Sequence, residues 1–392
     1  MVRFFGLMLL SLYLVSTLGQ LPSPDILALL QFKKGIKHDP TSYVLNSWNE
    51  ESIDFNGCPS SWNGIVCNAG HVAGVILDNL GLSAEADLSV FVNLTMLVEL
   101  SMANNSISGI IPADIGSFTK LKYLDVSNNL FSSSLPLGIG NLASLQNLSL
   151  AGNNFSGVIP DSISGLTSIQ SLDLSHNSFS GSIPSSLTKL GSLVYLNLSQ
   201  NRLTKKIPEG FEFLSNLQVL DLHGNMIDGN LDEGFLLFSH ANYVDLSDNQ
   251  LGNPGSQREK FQPGISKTIK HLNLSHNRLM GSLIGQTQLF ENLKVLDLSY
   301  NHLSGDLPEF NFVYDLEVLR LGNNKFSGFL PNGLLNGDPE LLIELDLSSN
   351  NLTGIILCCQ HSGTCILFLG NYVICILFFI QCMDNLGKSV LY

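Results

Sequence analysis

Apolar residues return in one fixed frame through most of the chain. From Leu97 the order is Leu97, Leu100, Met102, Asn105, Ile107, Gly109, Ile111 and Pro112, a line of the form L-x-x-L-x-L-x-x-N-x-L-x-G-x-I-P. The frame returns with its asparagine at Asn129, Asn153, Asn177, Asn201, Asn225, Asn249, Asn277, Asn301, Asn324 and Asn350. Subtracting successive numbers gives an interval of 24 residues six times, then 28, 24, 23 and 26. A weaker copy at Val72, Val75 and Leu77 precedes these eleven and makes about twelve. A self-similar period of this size signals a stack of small units rather than separate globular domains.

Each position has a physical task. The L-x-L step turns two leucines inward from one short strand and leaves the residues between them facing out. An asparagine side chain carries donors and an acceptor, so it can satisfy buried loop backbone between turns. The Gly and the Ile-Pro or Leu-Pro end the turn, because proline fixes its own φ and biases its predecessor toward extended geometry. No unit can bury its leucines alone, and stacking does it for all. The pattern predicts an α/β repeat solenoid: a leucine-rich-repeat superhelix over residues 72–357, with one short parallel strand per repeat lining a concave side. Before it, residues 20–71 predict a cap. Ser23-Pro24-Asp25 supplies an N-cap, a first-turn proline and a first-turn acid for a helix carrying Ile26, Leu27, Leu29, Leu30 and Phe32. That helix, Trp48, Trp62 and a Cys58 to Cys67 bridge can cover the first repeat.

The two ends depart from the frame. Residues 1–19 hold Arg3, an apolar run from Phe4 to Val15 and small or neutral residues at Ser16, Thr17 and Gly19, the layout of a secretory signal peptide. Export permits disulfides and makes Asn-x-Ser/Thr triplets glycan acceptors. Cys58 and Cys67 are then expected to pair, while Cys358, Cys359, Cys365, Cys375 and Cys382 form an odd late set. Residues 358–392 are an apolar, Cys-rich tail. Within it residues 366–382 are short for a membrane helix of about 20 residues. Three readings stand: a truncated or mis-spliced product, a membrane anchor through residues 366–382, or an apolar end cap.

Composition narrows the function. With 33 acidic and 19 basic residues the formal charge is -14, which excludes a general nucleic-acid binder. Charged residues are 13% and apolar residues 44%, too apolar for a disordered acidic polymer. No phosphate loop, nucleophile elbow, zinc helix or kinase motif set occurs. Gly138-Ile139-Gly140-Asn141-Leu142-Ala143 spells G-x-G-x-x-A, but it follows Leu135-Pro136 and sits where each repeat turns on its convex side, a structural placement. We expect no catalytic residue, no metal and no cofactor.

Candidate chemistry therefore lies on the strand face. Asp125, Asp173, Asp221, Asp245, Asp297 and Asp346 share the outward position of L-x-L, where they either attract a cation or bond locally as repeat grammar. Tyr123, Tyr195 and Tyr243 share the adjacent column, with Val219 between the last two and Asp221 and His223 beside them. Aromatics with polar tips anchor interfaces, although tyrosine also simply suits a strand. The candidate ligand face is Tyr195, Asp221, His223, Tyr243, Asp245, Asp297 and Tyr300. His176, His271 and His276 are expected to be solvated. Sequons occur at Asn93, Asn104, Asn147, Asn154, Asn197, Asn273 and Asn351, and register turns Asn147, Asn197 and Asn273 out of the concave sheet. A partner would then favour a glycan-free stretch near Tyr243 to Tyr300 or along one edge. The 28-residue interval gathers Arg258, Glu259, Lys260 and Lys267, as an inserted contact loop or a tolerated one.

The G-x-I-P repeat, preceded by a helix, Ser47-Trp48-Asn49 and C-P-S-S-W-N-G-I-V-C at Cys58 to Cys67, resembles the ectodomain of plant leucine-rich-repeat receptor-like kinases over residues 20 to about 354. The segments Phe32 to Pro40, Glu51 to Cys58, Asn129 to Pro136 and Leu220 to Asp232 resemble a guard-cell pseudokinase branch of that family. Its members carry a longer repeat array, one membrane span and a cytoplasmic kinase-like domain. The resemblance implies an extracellular or plasma-membrane recognition module for a protein or peptide ligand, with a possible co-receptor kinase and no catalysis of its own. A secreted decoy or inhibitor is the alternative. After Gly354 the chain leaves the family pattern.

Overall fold

The computed structural model describes residues 23–49, 57–231, 238–252, 268–283, 292–308, 315–331, 342–358, 365–367 and 372–377. The signal-peptide segment and the insertion residues Arg258, Glu259, Lys260 and Lys267 lie outside the described residues.

The expected helix forms as α1, Pro24–Lys34. The Ser23 hydroxyl accepts the Ile26 N–H at 3.3 Å, Pro24 occupies the first turn, and Lys33 and Lys34 face the negative end of the helix dipole. Phe32 packs against Phe91 and Trp48, with ring centroids 5.0 and 6.2 Å away, and Trp48 stacks on Trp62 at 5.6 Å. Cys58 and Cys67 are bridged, with Cα atoms 6.0 Å apart. Cys67 belongs to the strand Ile65–Asn68, antiparallel to His71–Ile76. The buried Asp25 carboxylate accepts the Val72 N–H at 2.8 Å, a charge-assisted bond that ties α1 to the first coil.

That hairpin opens a 14-stranded inner sheet. It continues through Glu99–Ser101, Tyr123–Asp125, Asn147–Ser149, Ser171–Asp173, Tyr195–Asn197, Val219–Asp221, Tyr243–Asp245, His271–Asn273, Val295–Asp297, Val318–Arg320, Glu344–Asp346 and Cys365–Leu367. After the hairpin every pairing is parallel and in one register, so Leu148 lies between Leu124 and Leu172, and Leu220 between Leu196 and Val244. These central residues are buried. Each such leucine contributes about 1.5–3 kcal/mol of transfer free energy that an isolated coil could not collect.

The repeat asparagine joins coil to coil. Asn225 Nδ2 donates to the carbonyls of Leu198, Leu222 and His223 at 3.0, 3.0 and 3.3 Å, while its Oδ1 accepts the Leu203 N–H at 3.0 Å. Asn129, Asn153, Asn177, Asn201, Asn249, Asn277, Asn301, Asn324 and Asn350 repeat this set, donating to a carbonyl of the preceding coil. Asn105 does the same at the cap, reaching Leu77 O and accepting from Leu80 and Leu82. The residue before each asparagine is left-handed: φ is 56° at Asn104, 50° at Asn128, 64° at Gly152, 51° at His176 and 53° at Tyr300. Asparagine and glycine meet this demand readily, whereas histidine and tyrosine meet it at a local cost.

One strand per repeat is an incomplete description, because each well-formed coil adds a second after its asparagine. An eight-stranded sheet runs from Ile36–His38 through Ser83–Asp87, Ser106–Ile110, Leu130–Ser133, Asn154–Val158, Ser178–Ser182 and Arg202–Lys205 to Met226–Ile227. A five-stranded one begins at Met280–Gly281 and ends at Tyr372–Leu377. Its signal in sequence is thin, since strands such as Asn154–Val158 and Ser178–Ser182 bury one large apolar residue among Ser and Gly. Those residues stack: Phe131, Phe155 and Phe179 are 6.4 and 6.2 Å apart with nearly parallel rings. The opposite side of each N-terminal coil is a short 3-10 helix, such as Leu137–Asn141 or Asp161–Gly165, rather than an α-helix. Such turns are wider than a strand, so the stack curves with the inner sheet on its concave side.

Gly138 and Gly140 lie in that 3-10 layer. A Cβ on Gly138 would stand 2.4 Å from the Ala113 carbonyl oxygen, and one on Gly140 would stand 2.0 Å from that of Ser162. Coil-to-coil contact, not a phosphate, accounts for the G-x-G. The late apolar segment adds one strand to the inner sheet and one to the five-stranded sheet: Cys365–Leu367 pairs with Glu344–Asp346, and Tyr372–Leu377 with Thr353 to Cys358. Among the described residues no helix is long and apolar enough to cross a membrane.

Candidate functional site

Inner-face side chains fall into columns because parallel strands in one register place equivalent residues about 4.8 Å apart. The aspartate column is first a turn device. Oδ1 of Asp125, Asp173, Asp221, Asp245, Asp297 and Asp346 accepts the backbone N–H two residues later, at 2.8 to 3.1 Å. Asp245 and Asp297 also accept the hydroxyls of Ser247 and Ser299 at 2.6 Å and are less than a tenth exposed. Asn197 and Asn273 replace aspartate in the column and accept from Ser199 and Ser275 in the same way. The local-bonding alternative therefore accounts for the column's recurrence.

The candidate ligand face is partly assembled. Tyr195, Asp221, Tyr243 and Asp245 lie on three consecutive strands, with Val219 between the tyrosines and His223 in the turn after Asp221. His223 Nδ1 is 2.7 Å from Asp221 Oδ1. The Tyr243 hydroxyl donates to Asp245 Oδ2 at 3.4 Å, and Asn197 Nδ2 donates to the Tyr195 hydroxyl at 3.1 Å. Burial pushes the Tyr243 phenol up to about 12, helped by Asp245 and Asp221. Burial raises the Tyr195 phenol too, and it raises the Asp221 carboxyl against the opposing pull of His223.

Two histidines expected to be solvated have partners. His271 stacks on Tyr243 at 4.4 Å, and burial lowers its pKa. His276 stacks on Tyr300 at 4.1 Å in the left-handed column, so Tyr300 and Tyr243 stand in different columns. Asp297 faces a separate ionic group that the sequence reading missed. Arg320 donates Nε and Nη2 to both Glu344 oxygens at 2.7 and 2.8 Å and Nη1 to Asp297 at 3.3 Å. Arg320 is the one cation of its column from Ser101 to Asp346, which was a usable signal. The Arg320 hydrogen bonds hold Glu344 below its ordinary range.

Five sequons present exposed asparagines, at Asn93, Asn104, Asn147, Asn154 and Asn351. Asn197 and Asn273 are half-buried, and Asn273 Nδ2 donates to Asp245 at 3.1 Å. Asn273 thus stands inside the stretch from Tyr243 to Tyr300 that was expected to be glycan-free. Among the described residues no group of three or more His, Cys, Asp or Glu is placed to hold a metal.

Comparison with known proteins agrees with this geometry. The model described as leucine rich repeat N-terminal domain matches residues 22–68. Leucine-rich-repeat models match residues 138–179 and 181–227, and further copies from 96–118 to 341–361. The LRR receptor-like serine/threonine-protein kinase GHR1 of Arabidopsis thaliana is 72% identical over 348 residues, which are 89% of this chain and 33% of that protein. The chain thus spans about a third of that relative's length. The solved PEPR1-AtPEP1 complex aligns with a TM-score of 0.75 and 28% identity, over 89% of this chain and 52% of that one. The Arabidopsis receptor kinase HAESA, solved with the peptide hormone IDA and the co-receptor SERK1, aligns at 0.66 and 29%, over 85% and 58%. The chain therefore belongs to the leucine-rich-repeat family, in the form found in the ectodomains of plant receptor kinases.

Proposed function

We propose that this chain is an extracellular recognition module whose inner face binds a peptide or protein, and that it informs a kinase or kinase-like domain carried elsewhere. The observation that carries this reading is the unbroken inner sheet, whose outward columns display Tyr195, Asp221, His223 and Tyr243 without a catalytic constellation. A rigid, regular sheet lets an extended partner contact many coils at once, which gives recognition rather than chemistry. The solved relatives with bound peptide hormones support the same use of the fold. A co-receptor kinase and a plasma-membrane location belong to the same proposal, supported by the likeness to HAESA, which was solved with the co-receptor SERK1.

Hydrogen exchange on the secreted chain, with and without the extracellular peptide fraction of the source plant, tests it. Added protection should concentrate in the inner strands between Tyr195 and Asp297. Protection confined to the 3-10 layer would reject the reading.

A further inference from the structure

We propose that the gap between Tyr195 and Tyr243 is a slot for one planar cation, an arginine side chain of a basic peptide. This inference rests on the reading that the inner face binds a peptide, and it specifies what one site on that face takes.

The slot follows from the register. Tyr195, Val219 and Tyr243 are direct partners on three adjacent parallel strands. The tyrosines are therefore about 9.6 Å apart, two strand spacings of about 4.8 Å. Both rings are held in the same way, each hydroxyl tied to the side chain two residues on in its own strand, Asn197 for Tyr195 and Asp245 for Tyr243. The outer face of Tyr243 is already occupied by His271, nearly parallel at 13° with centroids 4.4 Å apart. That stack shows that rings one strand apart on this sheet lie flat against one another. The position in the series that lacks a ring is Val219, a half-buried short side chain on the strand between the two tyrosines. A flat group seated there lies about 4.8 Å from each ring, inside the reach of about 6 Å for cation–π contact.

Charge selects the occupant. From Gln146 to Asp248 the outward positions of the inner strands and the turns that follow them carry Asp173, Asp221, Asp245 and Asp248 and no lysine or arginine. Asp221 sits two residues beyond Val219, on the same face, and Asp173 and Asp245 belong to the strands on either side of the Tyr195 to Val219 pair. A neutral ring would fill the gap without using these carboxylates. A guanidinium is flat, weakly hydrated and stacks on aromatic faces, whereas an ammonium is compact and strongly hydrated. The slot therefore discriminates arginine from lysine by shape, and arginine from citrulline by charge.

The test uses the full secreted chain and three probes: acetylated, amidated tetra-arginine, tetra-lysine and tetra-citrulline, each titrated calorimetrically at low salt. Tetra-arginine should bind at least fivefold more tightly than tetra-lysine and more than tenfold more tightly than tetra-citrulline. Val219→Phe, which places a ring in the gap, should remove the preference for arginine over lysine. Circular dichroism and unfolding of that variant confirm that it folds, and Val219→Ala should keep the preference. Equal binding of arginine and lysine by the parent chain, or an arginine preference that survives in folded Val219→Phe, overturns the slot. Protection of the inner strands by the extracellular peptide fraction is read separately. If it persists while the arginine preference is absent, the slot fails and the binding face stands; if it is absent as well, both fail.

Discussion

At the scale of single residues the coils are held by buried polar groups that satisfy one another, with the Ser162 hydroxyl an exception among the described residues. Replacing Asn225 by leucine strands the Leu203 N–H and removes the donor shared by three carbonyls. At about 1–3 kcal/mol for each buried group left unsatisfied, the loss should reach about 3 kcal/mol or more. Asn242→Leu, at an exposed inner-face position, should be close to neutral in the same urea titration. Tyr243 offers a spectroscopic check. Its phenol is pushed up to about 12 and the Tyr195 phenol is raised as well, so tyrosine ionisation should extend past the ordinary range, and Tyr243→Phe should shorten that late part of the ultraviolet pH titration. The sign for stability follows. A folded pKa above the unfolded value near 10 contributes stability that is complete below pH 10 and lost as pH rises through about 12. For Asp39 burial pushes the carboxyl up, but hydrogen bonds from Leu45, Val44, Tyr43 and Thr41 outweigh it and leave it lowered. Its contribution is therefore present above the ordinary carboxylate range and lost on acidification.

Elements differ in how plainly the sequence announces them. The inner strands were legible because L-x-x-L-x-L-x-x-N repeats two periodic signals at once, the inward leucines and the asparagine. Helix α1 was legible from Ser23, Pro24 and Asp25. The second sheet was not, because Phe155 is the single buried residue in Asn154–Val158 and one residue shows no alternation. Its place in a stack is visible only when neighbouring coils are superposed. Phe155→Ala should cost about 3–5 kcal/mol, since the cavity opens between Phe131 and Phe179, which the adjacent coils hold in place. Ile107 buries its side chain at the matching position, so the effect belongs to the column and not to aromaticity. The cap is a separate element with its own staple. Replacing Cys58 and Cys67 by serine should lower stability by about 2–4 kcal/mol, with the added hydrogen exchange centred on α1 and the Ile65–Ile76 hairpin.

Across the whole molecule one register converts many weak units into a surface. Composition alone could say only that the chain is acidic; the register shows that this acid makes turns, as at Asp245 and Asp297, and that Asp173, Asp221 and Asp245 do so beside Tyr195 and Tyr243. Contacts such as Tyr243 on His271 and Arg320 with Asp297 and Glu344 join residues 28, 23 and 24 positions apart, and only the lone cation at Arg320 gave a sign of one of them in the sequence. They became neighbours only through the coil spacing. The central claim is that the inner face, rather than the 3-10 layer or the second sheet, meets the ligand. Photo-crosslinking tests it most directly, with p-azidophenylalanine placed singly at Tyr243, at Ser185 in the 3-10 layer and at Arg202 in the second sheet, each exposed to the same extracellular peptide fraction. A saturable adduct at position 243 alone is the predicted result; adducts of equal yield at all three positions, or only at 185 or 202, would contradict it.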